Sequence, residues 1–153
     1  MLTTKEVVIL IVEDEDAHVK LIGRNVRRAG LLNPIIRFRD GQEVLDFLFR
    51  RSNPGRAADA SYLMLLDIKM LRVDGVEVLR QVKKDPEMRN LPIIMITSTD
   101  DPREVERCTA LGCSAYLTKP VDHGEFVEAI RKLGLTVRSP KPASAEATDA
   151  GVG

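Results

Sequence analysis

The chain has 153 residues, enough for one domain with a full hydrophobic core, and its 44% apolar content is ordinary for a globular protein. Lysine plus arginine match aspartate plus glutamate at 23 each, so no basic excess points to nucleic acid or to an anionic membrane surface. No apolar run approaches the roughly 18 residues of a membrane span, and the N-terminus lacks a signal-peptide layout, so a cytoplasmic protein is expected.

The first run, VVILIV, ends at Glu13 and Asp14. Short apolar runs bounded by turn signals read as strands buried on both faces of a parallel sheet. Residues 17–29 then carry Leu21, Ile22, Val26 and Ala29 on one helical face, and Gly30 stops the helix. A second strand, residues 35–38, follows Pro34. Asp40 caps a helix over residues 41–51 with a stripe of Val44, Leu45 and Leu48. The run SNPGRAADAS reads as a loop, and YLMLL is a third strand ending at Asp67. A turn with Asp74 and Gly75 leads into a helix carrying Val76, Val78, Leu79 and Val82, which stops near Asp85 and Pro86. PIIMI is a fourth strand, ending at Thr97. Asp101 and Pro102 open a helix to Leu111, with Gly112 behind it. The last strand, residues 115–118, precedes Lys119, and the last helix covers residues 122–133.

Five βα units predict an α/β fold with a five-stranded parallel sheet and helices on both faces. Residues 1–137 form one domain on this reading. The segment 138–153, RSPKPASAEATDAGVG, has too little apolar surface to offset its ordering entropy and reads as a disordered tail. Cys108 and Cys113 lack the paired spacing of a zinc site and read as reduced thiols in a helical stretch. His18 and His123 also lack metal-ligand spacing and read as surface helix residues.

The polar residues that follow the apolar runs carry the chemistry. Open parallel sheets bind ligands outside the carboxyl ends of their strands. Glu13, Asp14, Asp67, Thr97 and Lys119 would therefore meet in one crevice, suited to a divalent cation and a phosphoryl group. Taken singly, EDED could be a solvated cluster at a helix start, Thr97 a strand-end hydroxyl, Lys119 a surface lysine and Tyr116 a half-buried aromatic. Asp67, behind five apolar residues, points the other way, because an unpaired buried carboxylate is costly.

The motifs VILIVEDED, YLMLLDIKMLRVDG, PIIMITST and AYLTKP, in this order, resemble the receiver domain of two-component response regulators, over about residues 7–133. The resemblance implies a CheY-like, flavodoxin-like doubly wound fold with strand order 2-1-3-4-5. It implies that Asp67 is the phosphoacceptor and that Mg²⁺ is held by Glu13, Asp14, Asp67 and the backbone carbonyl of Lys69. Thr97 and Lys119 would contact the phosphoryl group, Tyr116 would be the switching aromatic, and the Lys119 to Pro120 peptide would be cis. The implied partner is a sensor histidine kinase, of the kind paired with bacterial phytochromes, with a histidine phosphotransfer protein as a further one. No enzymatic activity is implied beyond self-catalysed phosphoryl transfer and autodephosphorylation. A homodimer is a further implication, for which Leu133, Leu135 and Val137 offer an apolar contact.

Two positions depart from the family pattern. Lys69 stands where asparagine is common and would alter water access to the aspartyl phosphate; Leu71 stands where proline is usual and frees the loop dihedrals. Two other functions compete. A flavin or nucleotide module would need a Gly- or Ser/Thr-rich phosphate loop after the first strand, where this chain has EDED. A phosphate-independent adaptor would not need the full set of five site residues. An EF-hand reading fails for want of the glycine and the bidentate glutamate.

Overall fold

The computed structural model describes residues 7–49 and 61–133. The loop expected at SNPGRAADAS falls almost wholly outside them, and the segment 138–153 does so entirely.

Strands and helices alternate in the order β1 (Val7–Val12), α1 (Asp16–Arg28), β2 (Ile35–Phe38), α2 (Gly41–Phe49), β3 (Ser61–Leu66), α3 (Gly75–Lys84), β4 (Ile93–Thr97), α4 (Pro102–Leu111), β5 (Ala115–Thr118) and α5 (His123–Lys132). The sheet order is β2-β1-β3-β4-β5, and every neighbouring pair is parallel. This is the flavodoxin-like, doubly wound arrangement, whose order reverses between β1 and β3.

The strands are apolar throughout because each face of the sheet has its own core. Successive side chains point to opposite faces. Leu10, Val12, Met64, Leu66 and Met95 therefore pack with Val44 and Leu48 of α2, Val78, Leu79 and Val82 of α3, and Cys108 of α4. Ile9, Ile11, Leu63, Leu65, Ile94 and Ile96 face the other way, against Ile22 and Val26 of α1 and Phe126 and Ala129 of α5. The half-buried Leu133 joins this second cluster, so it is not a free apolar contact, and its expected companions Leu135 and Val137 lie outside the described residues.

Aspartates set the helix starts. Asp40, Asp74, Asp101 and Asp122 accept hydrogen bonds from the first-turn N–H groups of Glu43, Glu77, Arg103 and Glu125, satisfying donors that a helix leaves open. Gly112 ends α4 with φ at 104°, a left-handed conformation that glycine adopts without a Cβ clash. Helix α1 differs: its cap residue Glu15 makes no side-chain capping bond. That end of the helix faces the site.

Candidate functional site

The hydrogen-bond ladder extends one residue past the strand at Glu13, Asp67 and Lys119. Glu13 N–H donates to the Phe38 carbonyl at 3.0 Å, Asp67 N–H to Val12 at 3.1 Å, and Lys119 N–H to Thr97 at 2.9 Å. The backbone of these residues is thereby held at the carboxyl end of the sheet, where Thr97 ends β4. Glu13, Asp67 and Thr97 are buried, Asp14 and Lys119 half-buried.

One oxygen from each of Glu13, Asp14 and Asp67 lies within 4.8 Å of the others. Lys119 Nζ donates to Glu13 Oε1 at 2.6 Å and stands 3.6 Å from Asp67 Oδ2. Asp67 Oδ1 accepts from the Ile68 N–H at 2.8 Å, which fixes the carboxylate plane. Burial pushes the Glu13 carboxyl above the usual carboxylate range; the Lys119 hydrogen bond opposes this, and the neighbouring Asp67 charge reinforces it.

Three carboxylates against one ammonium leave the crevice anionic. Hard oxygen donors of this number and charge fit Mg²⁺, which takes one or two carboxylates together with waters and phosphate oxygens. Glu13, Asp14 and Asp67 are the side chains that would hold it. Lys69 is exposed on the β3–α3 loop, and the peptide joining Lys119 to Pro120 is cis. Tyr116 is half-buried, and its hydroxyl donates to the Thr99 carbonyl at 2.8 Å. Burial pushes its phenol up to about 12.

The geometry brings in residues that sequence reading missed. Arg37, in β2, donates through Nε and Nη2 to the Glu13 carbonyl at 3.1 and 2.9 Å and through Nη1 to Asp16 Oδ1 at 2.8 Å. It thus clamps both ends of the short loop that carries Asp14. A charged residue inside an otherwise apolar strand was the available signal. Arg72 holds the β3–α3 loop: it has φ of 60° and binds Asp40 through Nε at 2.9 Å and Nη2 at 3.2 Å. The loop is therefore tied down by Arg72, and Leu71 before it is exposed.

His18 corrects an expectation. It is no plain surface residue: it is half-buried, and its Nδ1 lies 2.8 Å from Lys119 Nζ. Its place in the first turn of α1, next to the loop that carries Asp14, brings it there, a relation that metal-ligand spacing does not test. His123 opens α5 half-buried, with a solvent-shielded Nδ1 that has no hydrogen-bond partner among the described residues. Cys108 is buried and Cys113 half-buried, both as free thiols; burial raises Cys108 to about 11 and Cys113 above the usual thiol range.

The doubly wound sheet brings an acidic cluster and a lysine together at its switch point, where open parallel sheets place their ligand sites. The family model for the response regulator receiver domain matches residues 9–131, and the chain belongs to that family. It is 35% identical over 140 residues to a probable methanogenesis regulatory protein, FilR2, of Methanothrix harundinacea, covering 89% of each chain. A response regulator receiver domain from Rhodospirillum rubrum is 40% identical, with a TM-score of 0.69 over 86% of this chain and 97% of that one. The bacteriophytochrome response regulator AtBRR is 34% identical, with a TM-score of 0.74 over 88% of this chain and 96% of that one. No described helix is long and apolar enough to cross a membrane.

Proposed function

We propose that this receiver domain accepts a phosphoryl group on Asp67 from a phosphohistidine of a sensor histidine kinase and answers by changing its protein contacts. The observation that carries the proposal is the buried Asp67 carboxylate, with oxygens of Glu13 and Asp14 within 4.8 Å and the Lys119 ammonium 3.6 Å away. Such a nucleophile is out of bulk water and flanked by the charges that phosphoryl transfer needs.

An Asp67 oxygen attacks phosphorus, the O–P bond forms as the donor's N–P bond breaks, and the imidazole leaves with the electron pair. Bound Mg²⁺ would neutralise charge on the transferring group, supported by Glu13, Asp14, Asp67 and the carbonyl of Lys69. Lys119 would pair with one phosphoryl oxygen, and Thr97, buried at the end of β4, would donate to another. Phosphorylation replaces one carboxylate charge by about two negative charges. Movement of Thr97 toward the new group is read out through Tyr116, two strand residues from Thr118, the register partner of Thr97.

The likeness to AtBRR supports a bacteriophytochrome kinase as donor. Output then runs through protein contact or through relay to a histidine phosphotransfer protein, with no activity of its own beyond phosphoryl uptake and autodephosphorylation. Incubation with Mg²⁺ and acetyl phosphate, followed by intact-mass measurement, tests the core of the reading. A single labile phosphoryl adduct is expected on the wild type and none on Asp67→Asn. An equal adduct on the variant, or none on the wild type, overturns it.

A further inference from the structure

We infer that His18 is a positioning residue for phosphoryl uptake, an acceptor that keeps the Lys119 ammonium aimed at Asp67 when a cation enters the crevice. The inference rests on the phosphoacceptor reading above.

An ammonium has three N–H donors and no acceptor. Lys119 Nζ lies 2.8 Å from His18 Nδ1, so Nδ1 must present its lone pair, and the ring proton belongs on Nε2. That nitrogen faces Glu15 Oε1 at 3.4 Å, within reach of an electrostatic contact. A second N–H of Lys119 is taken by Glu13 Oε1 at 2.6 Å. The remaining direction has Asp67 Oδ2 at 3.6 Å, too far for a hydrogen bond, which leaves one donor for an oxygen arriving on Asp67.

The two holders of Lys119 respond differently to a divalent cation. Glu13 is one of the three carboxylates that would hold the ion, so the cation draws on the same charge that binds Lys119 and repels the ammonium directly. His18 is not one of those three residues, although its Nδ1 stands 3.5 Å from Glu13 Oε2, and its contact with Lys119 does not depend on a carboxylate that the ion would occupy. The cleft beside the imidazole is lined mainly by apolar side chains, Leu21, Ile22, Pro120 and Val121, with His18, Asn25 and Lys119. With Glu13 engaged by metal, His18 is the acceptor placed to stop Lys119 from swinging out along this mainly apolar wall.

The test compares the full-length wild type, His18→Leu and His18→Asn in binding beryllofluoride with Mg²⁺, a stable stand-in for the phosphoryl group, by calorimetry. Asparagine can place an amide oxygen near the position of Nδ1; leucine cannot. His18→Leu should bind beryllofluoride about tenfold more weakly, the worth of a hydrogen bond to a charged group. His18→Asn should stay near wild type, and Mg²⁺ alone should bind all three alike. Nitrogen-15 spectra of the wild-type imidazole should show the proton on Nε2, a readout that does not depend on either variant folding. Equal or tighter binding by His18→Leu, an equal loss in both variants, or a proton on Nδ1 overturns the inference. Failure of the wild type to bind beryllofluoride with Mg²⁺ would instead bring down the phosphoacceptor reading beneath it.

Discussion

Gly75 stands so close to Asp67 that a Cβ on Gly75 would lie 2.0 Å from the Asp67 carbonyl oxygen. The contact is backbone to backbone, with the Gly75 N–H donating to the Ile68 carbonyl at 2.8 Å, so neither side can rotate away. The start of α3 is thereby pressed onto the backbone of the proposed phosphoacceptor. Gly75→Ala should destabilise the fold by about 3 kcal/mol, the upper range for forcing extra volume into a packed site. Gly23, in α1, is open by contrast: a Cβ there would meet nothing within 4 Å, and Gly23→Ala should stabilise by up to about 1 kcal/mol through helix propensity. Urea unfolding of the two variants should shift in opposite directions; a Gly75→Ala midpoint at the wild-type value would contradict the close approach.

Asp67 shares its crevice with Glu13 and Asp14, and one ammonium does not balance three carboxylates. Native structure therefore carries repulsion that a cation relieves. In EDTA, Asp67→Asn should be more stable than wild type by about 1 kcal/mol, since the amide keeps the shape and drops one like charge. With Mg²⁺ in excess the order should narrow or reverse, because a ligand at about 100 times its dissociation constant stabilises by about 2.7 kcal/mol and the wild type binds it better. Thermal melts of both proteins with and without Mg²⁺ check this. Equal Mg²⁺ shifts in the two would show that Asp67 does not help to hold the ion.

Arg37 makes three hydrogen bonds to Glu13 and Asp16, on either side of Asp14. Removing the guanidinium leaves the Glu13 carbonyl without these donors and frees the loop. Arg37→Met, which keeps the length and the apolar stem, should weaken Mg²⁺ binding by about tenfold, the size expected when a group supporting a metal ligand is lost. Asp16→Asn, which disturbs only the exposed partner, should change it little. Calorimetric titration with Mg²⁺ separates the two, and an Arg37→Met affinity equal to wild type would remove Arg37 from the site.

Much of this arrangement was legible along the chain. The apolar runs mark β1, β3 and β4 because both faces of the sheet are covered, and the caps Asp40, Asp74, Asp101 and Asp122 mark helix starts through chemistry that is local in sequence. The five candidate site residues were visible for the same reason: they lie at, or within two residues of, the ends of β1, β3, β4 and β5. Arg37, Arg72 and His18 were not, because their partners lie 24, 32 and 101 positions away and are chosen by how the elements pack. A single strand or helix start carries no mark of a neighbour that only the sheet order supplies.

Asp40 gives the fold a defined acid response. Burial by itself would raise its carboxyl, but the Arg72 hydrogen bond, the Glu43 N–H and the Arg72 charge outweigh burial and hold it below the ordinary 3.8. A carboxyl depressed in the folded state contributes stability that is fully present above the unfolded value and is lost as pH falls through the folded one. The window therefore opens near 3.8 and extends below it. Asp40→Asn keeps a good helix cap and loses only the charge. At neutral pH the variant should be less stable by about 1 kcal/mol, the upper end for a partly exposed ion pair. The gap should stay constant down to about pH 5 and close as the wild-type carboxylate takes up its proton. Urea unfolding across that range measures the gap directly. A difference that persisted unchanged into strong acid would mean that the Arg72 to Asp40 pairing does not set it.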